Sequence, residues 1–175
     1  MFHFGHSTKL IKLTYAGLSQ AEVETIYKLF QQFGVEEKEE ELSEEYSSMI
    51  NIEMHFRYEP QFFKIFGFDR WEDLKTLLKN IKWRRGNKRF RFSLCFKDNP
   101  DVEFSLLTSS DLAMNKAVDI IEYLADSIIL QLRSIDIDNI KRVILELKDY
   151  RWSIGKVIDH NGNEYHYIDN RWRKV

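Results

Sequence analysis

The chain has 175 residues, 26 Lys and Arg against 28 Asp and Glu, 13 Phe, 8 Tyr and 4 Trp, but only 2 Pro and 1 Cys. With 43% hydrophobic residues it lies outside the regimes of intrinsic disorder and collagen-like repeats, and a lone Cys95 forms no intrachain disulfide framework. The length suits one domain over residues 1–175, able to bury roughly 70% of its unfolded surface.

Lys9 to Tyr15 alternates Ile11, Leu13 and Tyr15 with Lys12 and Thr14, a period of two that predicts a strand. Ser19 followed by Glu22 is a capping box. Val23, Ile26, Tyr27, Phe30 and Phe33 then recur at helical spacing until Gly34 stops the helix. Glu36 to Glu45 carries seven Glu and one Lys, a composition typical of a solvated loop or interaction tail. Met49 to Tyr58 alternates again and predicts a strand buried on one face, ended by Pro60. Residues 61–68 fit a short helix or an aromatic-packed loop equally. Asp69 with Glu72 then opens a second amphipathic helix on Trp71, Leu74, Leu77, Leu78 and Ile81.

The clearest pair is Lys88–Lys97 with Asp101–Leu107. A turn at Asn99-Pro100 sets Phe96 against Val102, Leu94 against Phe104 and Phe92 against Leu106, so both apolar faces coincide. One of Ser109, Ser110 or Asp111 caps a single long helix to about Arg133, expected as the central core helix. Arg142–Lys148 predicts a strand, and Ile154–Asp159 with Glu164–Asp169 a hairpin closed by Asn161-Gly162 as a type I′ turn.

From Met49 to Lys148 the order β-α-β-β-α-β is that of the ferredoxin-like motif. The expected fold is α+β: a mostly antiparallel sheet with a ferredoxin-like core, an extra N-terminal β-α, a C-terminal β-hairpin, and helices mainly on one face. No repeat of 20 to 50 residues is visible in the sequence. The N-terminus lacks the features of a secretory signal. The apolar stretch 112–132 carries Lys116, Asp119, Glu122 and Asp126, which argues against a membrane span. A soluble, cytoplasmic protein is expected, with no membrane association.

Residues 1–81 hold nine basic and fourteen acidic groups, residues 82–175 seventeen and fourteen. Much of that asymmetry lies in the acidic block and in the run Lys82-Trp83-Arg84-Arg85-Gly86-Asn87-Lys88-Arg89-Phe90-Arg91. If Phe90 faces the core, Arg89 and Arg91 face away from it beside Lys82, Arg84, Arg85 and Lys88. Trp83 offers a stacking surface there, an arrangement suited to RNA or single-stranded DNA. Arg171-Trp172-Arg173-Lys174 repeats the composition. Phe62, Phe63, Phe66, Phe68 and Trp71 crowd into ten residues, either as a satellite core or as an exposed anchor for a partner or a second copy.

Other chemistry is thinly supported. His3 and His6, His160 and His166, and His55 lack the companion ligands of a metal motif, and Asp159–Glu164 has its glycine misplaced for a calcium loop. Glu53, His55 and Arg57 share one predicted strand face and suggest acid-base work, but any half-exposed strand produces that spacing. Asp136 and Asp138 fall in a predicted loop. No metal or cofactor is expected. The leading expectation is a non-catalytic protein-interaction module, possibly self-associating; nucleic-acid binding through residues 82–91 comes second, and an enzyme of unknown reaction third.

Overall fold

The computed structural model describes residues 9–175. Nine strands form one mixed sheet: β1 (Ile11–Ala16), β2 (Val35–Glu39), β3 (Ser48–Met54), β4 (Phe90–Phe96), β5 (Asp101–Thr108), β6 (Ile140–Lys148), β7 (Arg151–Asp159), β8 (Glu164–Ile168) and β9 (Arg171–Lys174). The strand order is β2-β1-β3-β4-β5-β6-β7-β8-β9. Three pairs are parallel, β1 with β2, β3 with β4 and β5 with β6, and the other five are antiparallel.

Each parallel pair is bridged by helix, as parallel neighbours require. α1 (Gln20–Phe30) joins β1 to β2, α2 (Pro60–Phe66) and α3 (Phe68–Arg84) join β3 to β4, and α4 (Asp111–Asp119) and α5 (Ala125–Ser134) join β5 to β6. The α+β class and the largely antiparallel sheet agree with the expectation, but the ferredoxin-like arrangement is not confirmed. That motif is a split βαβ, whereas here β3 and β4, and likewise β5 and β6, are hydrogen-bonded neighbours. The result is three β-α-β units in succession, a regularity that the sequence does not display.

The first of those units exists because half of the acidic block is a strand. β2 contributes only Val35 to the core, and its other four residues are exposed. The predicted long helix is also interrupted, at Ile120–Leu124, where a single 3₁₀ turn separates α4 from α5. Its backbone and side chains are held from outside. The Tyr58 hydroxyl donates to the Ile121 carbonyl, Trp71 Nε1 and Lys75 Nζ donate to the Glu122 carboxylate at 2.9 and 2.5 Å, and Trp152 Nε1 takes the Ala117 carbonyl at 2.8 Å. Burial raises the Tyr58 hydroxyl pKa further above its ordinary value, and Glu122 adds to the effect, so it remains a donor.

Elsewhere local chemistry agrees with the pattern. Ser19 and Glu22 form the capping box reciprocally, at 3.2 and 2.9 Å. β4 and β5 pair in the predicted register, Phe96 with Val102, Leu94 with Phe104 and Phe92 with Leu106. The turn at Asn161-Gly162 differs: only Gly162 has positive φ there, and its N–H bonds the Asp159 carbonyl. Two-residue connections with positive φ at both central residues, the signature of type I′, occur instead at Asp149-Tyr150 between β6 and β7 and at Asp169-Asn170 between β8 and β9.

The helices pack on one face of the sheet over a contiguous core. Ile50, Phe92 and Leu106 lie opposite one another across β3, β4 and β5, and Leu74, Leu78, Ile81, Met114 and Ala117 meet them from α3 and α4. The other face carries no helix among these contacts and is polar. One registered row runs Thr14, Asn51, Ser93, Ser105, Glu146, and the next Lys12, Glu53, Cys95, Glu103, Ile144, Lys156.

Candidate functional site

The basic run around residues 82–91 is largely consumed by the fold. Lys82 is fully buried, and its ammonium donates to Asp111 Oδ1 and to the Gly86 carbonyl, both at 2.7 Å. Arg85 donates to both Glu22 carboxylate oxygens at 2.8 and 3.0 Å and to the carbonyls of Gly17 and Ile81 at 2.8 and 2.9 Å. Arg84 adds a further bond to Glu22 at 2.9 Å. Burial alone would raise the Glu22 pKa, but Arg85, the Ser19 N–H and Arg84 together hold it down to about 2. The bend that offers the Gly17 carbonyl to Arg85 has φ +67° at Gly17, where a side chain would also meet the Ser47 carbonyl at 2.4 Å. Trp83 is 69% exposed, Lys88 and Arg89 are exposed, and Arg91 projects onto the polar sheet face with Glu45 at 3.5 Å. The run therefore divides into internal staples and scattered surface groups.

The aromatic cluster is core. Phe62, Phe63, Phe66 and Trp71 are each at most 2% exposed, and only Phe68, at 60%, reaches solvent. Phe62 meets Phe96 edge-on at 5.1 Å, Phe63 meets Trp71 at 5.0 Å and Phe66 stacks on Phe30 at 5.1 Å. These rings join α1, α2 and α3 to the sheet. The four buried ones do not form a surface anchor in the folded chain.

The groups suggested for acid-base work do not converge. Glu53 lies on the polar face of β3, His55 follows the strand end, and Arg57 turns to Asp98 at 3.6 Å. Asp136 and Asp138 are exposed in the loop before β6. Cys95 sits between Glu53 and Glu103 in register, and burial pushes its thiol up to about 12 despite the nearby Arg142, which keeps it protonated. The Asp159 carboxylate accepts from the N–H groups of Asn161 and Asn163, the Asn163 side-chain amide and the Tyr165 hydroxyl, a turn-stabilising role. Among the described residues no group of three or more His, Cys, Asp and Glu is placed to hold a metal ion; His3 and His6 lie outside the described residues. No described helix is long and apolar enough to cross a membrane.

The sequence reading missed the two ends of the sheet. No described strand lies outside β2 or outside β9, so each presents backbone groups without a strand partner among the described residues. On β2, the Gly34 carbonyl accepts from Ile11 and the Glu40 N–H donates to Tyr15. Alternation then turns the N–H and C=O groups of Val35, Glu37 and Glu39 outward, with their side chains on the helix-bearing face. Between those side chains and α1 runs a groove of about 710 Å³, lined by Tyr15, Leu18, Val23 and Tyr27 with Glu24, Glu37 and Glu39 around them and Lys28 as the sole lining Lys or Arg. Burial, Glu39 and Glu37 all raise the Tyr15 pKa, in keeping with a negative local field. A signal was available in the sequence: a charged strand with one apolar residue, following a helix stop, is what a guarded edge looks like.

The far edge is the chemical opposite. β9 is Arg171-Trp172-Arg173-Lys174, with both arginines and the lysine exposed. Trp172 is half-buried and packs on Tyr167 at 5.3 Å. The Val175 N–H bonds the Glu164 carbonyl, and the two-residue turn at Asp169-Asn170 fixes the register. Arg171, Arg173 and Val175 therefore bond inward to β8, while the backbone groups of Trp172 and Lys174 face outward. Arg173 also makes a 3.5 Å contact with Asp169, between two well-exposed side chains.

No protein-family model, curated protein or solved structure matches the chain significantly.

Proposed function

We propose that the chain is a protein-interaction module that binds an extended basic-aromatic segment along its acidic β2 edge. The observation that carries this reading is the open strand edge with an aromatic-floored, acid-rimmed groove of about 710 Å³ directly beside it. An added strand gains main-chain hydrogen bonds from Val35, Glu37 and Glu39. Its alternate side chains enter the groove, where Tyr15 and Tyr27 offer ring faces to an aromatic residue and Glu24, Glu37 and Glu39 attract Lys or Arg. The charges discriminate as well: an acidic segment meets like charge at Glu36, Glu37 and Glu39, against the single cation Lys38.

This reading uses groups that the fold leaves available, whereas the nucleic-acid reading has lost Lys82 and Arg85 to internal bonds, has Arg84 and Arg91 engaged with Glu22 and Glu45, and retains Trp83, Lys88 and Arg89 as exposed groups. Backbone amide NMR tests the proposal, titrating a heptapeptide of residues 169–175, which contains Arg-Trp-Arg-Lys, and a counterpart with Glu at each Arg and Lys. Shifts centred on residues 35–39 with the basic peptide alone are expected. Equal response to both peptides, or shifts centred elsewhere, would reject it.

A further inference from the structure

Resting on that reading, we infer that the partner of the β2 edge is the β9 edge of a second copy, so that the chain associates head to tail into a continuous sheet. Three features of the two edges agree. The first is direction. Between β2 and β9 the sheet contains five antiparallel pairings, an odd number, so β9 runs opposite to β2. A copy that continues the sheet with its helices on the same side therefore meets its neighbour as an antiparallel pair, with no inversion needed.

The second is pleat. On β2 the residues with outward backbone groups carry side chains on the helix-bearing face. The same holds on β9, where Trp172 and Lys174 share the face of Tyr167 and Tyr165, the latter paired with core residue Val157. The opposing residues of an antiparallel pair must have side chains on one face, and these two edges satisfy that condition. The third is charge. With Lys174 opposite Glu37, Trp172 falls opposite Glu39 at the groove and Arg171 opposite Glu40, while Arg173 meets Lys38, the one like-charged pair of this register. The self-matched alternatives are repulsive: β2 on β2 sets glutamates against glutamates, and β9 on β9 sets arginines against arginines. Head-to-tail contact is heterologous, so it produces rings or open filaments, with the twist of each sheet deciding whether it closes.

Sedimentation velocity on the full chain across a concentration series, with two charge-reversed variants, tests the inference. One variant carries Glu36→Lys, Glu37→Lys and Glu39→Lys; the other carries Arg171→Glu, Arg173→Glu and Lys174→Glu. All six positions are exposed, and thermal unfolding checks that both variants fold. The wild type is expected to associate with rising concentration and less so in high salt. Each variant alone should associate more weakly by at least about tenfold. Their equimolar mixture should associate again, because every edge in it then finds an opposite edge.

Three results would overturn the inference. A wild type that stays monomeric while the basic heptapeptide still shifts residues 35–39 removes the self-partner and leaves the edge reading in place. A monomeric wild type with no peptide response removes both. Association that neither reversal weakens, or that the mixture fails to restore, places the contact on another surface.

Discussion

Two stretches of this chain have the same composition and opposite fates. Residues 82–85, Lys-Trp-Arg-Arg, end a helix, and three of the four side chains turn back onto the protein: Lys82 onto Asp111, Arg84 and Arg85 onto Glu22. Residues 171–174, Arg-Trp-Arg-Lys, form the outer described strand of the sheet, and among the described residues their cations meet one exposed carboxylate, Asp169. The first stretch is inside because α3 carries it there. Its buried stripe Trp71, Leu74, Leu78, Ile81 continues at helical spacing to Lys82 and Arg85 and leaves Trp83 on the outside. The second stretch is an edge strand, with no described strand beyond it. A cluster of cations is thus a binding surface or a structural staple according to the element that presents it, and composition alone does not distinguish the two.

The comparison is broken most forcefully from the inside. Arg85→Ala removes two of the three guanidinium bonds to the low-pKa carboxylate of Glu22, leaving that of Arg84, and frees the Gly17 and Ile81 carbonyls; it is expected to cost about 3 kcal/mol, read as a lowered midpoint in urea. Lys82→Ala should cost a similar amount, whereas Lys82→Met, which keeps the volume and removes the charge, should recover most of the loss. Next in size is Glu122→Ala, which leaves the Trp71 indole N–H and the buried Lys75 ammonium without that acceptor; about 2 kcal/mol is expected, with faster amide exchange over Ile120–Leu124.

Acid provides a graded version of the first experiment. Glu22 is held near 2 in the folded protein against an ordinary 4.5, so its contribution is complete above about pH 4.5 and disappears as pH falls toward 2. Glu22→Gln should flatten that part of the stability profile, measured as urea midpoints between pH 6 and pH 2.5. At the other extreme, Arg171→Ala with Arg173→Ala should change the folding stability of the monomer by less than about 0.5 kcal/mol. A large loss there would mean that the C-terminal cations are staples too.

How much of this was legible beforehand depended on whether a residue's neighbours are local. The capping box at Ser19 and the Phe92, Leu94, Phe96 register followed from spacing alone, because their partners are a few residues away or across one turn. The β2 strand did not, since the alternation that announces a strand is a record of burial and this one buries only Val35. The interruption between α4 and α5 was hidden because the groups that hold it, Tyr58, Trp71 and Lys75, come from 47 to 63 positions earlier in the chain. The type I′ turns were misplaced because Asp149-Tyr150 and Asp169-Asn170 adopt positive φ without a glycine, while Asn161-Gly162 closes with positive φ at only one of its two residues. The same limit held for function: composition did not separate the internal groups Lys82, Phe62, Phe63, Phe66 and Trp71 from the exposed ones, and the free edges became visible only once strand order was known.

The strand order has a further consequence for how the protein comes into being. Except for β3, which pairs with β1 and not with β2, every strand lies next to its predecessor, so the sheet can be extended in the order in which a ribosome delivers it. Each arriving segment docks on a border left by the one before, and no strand must wait for a distant partner to be synthesised. An emerging chain of this kind always carries one unfinished border. Among the described strands that border is β9, with the sequence Arg-Trp-Arg-Lys.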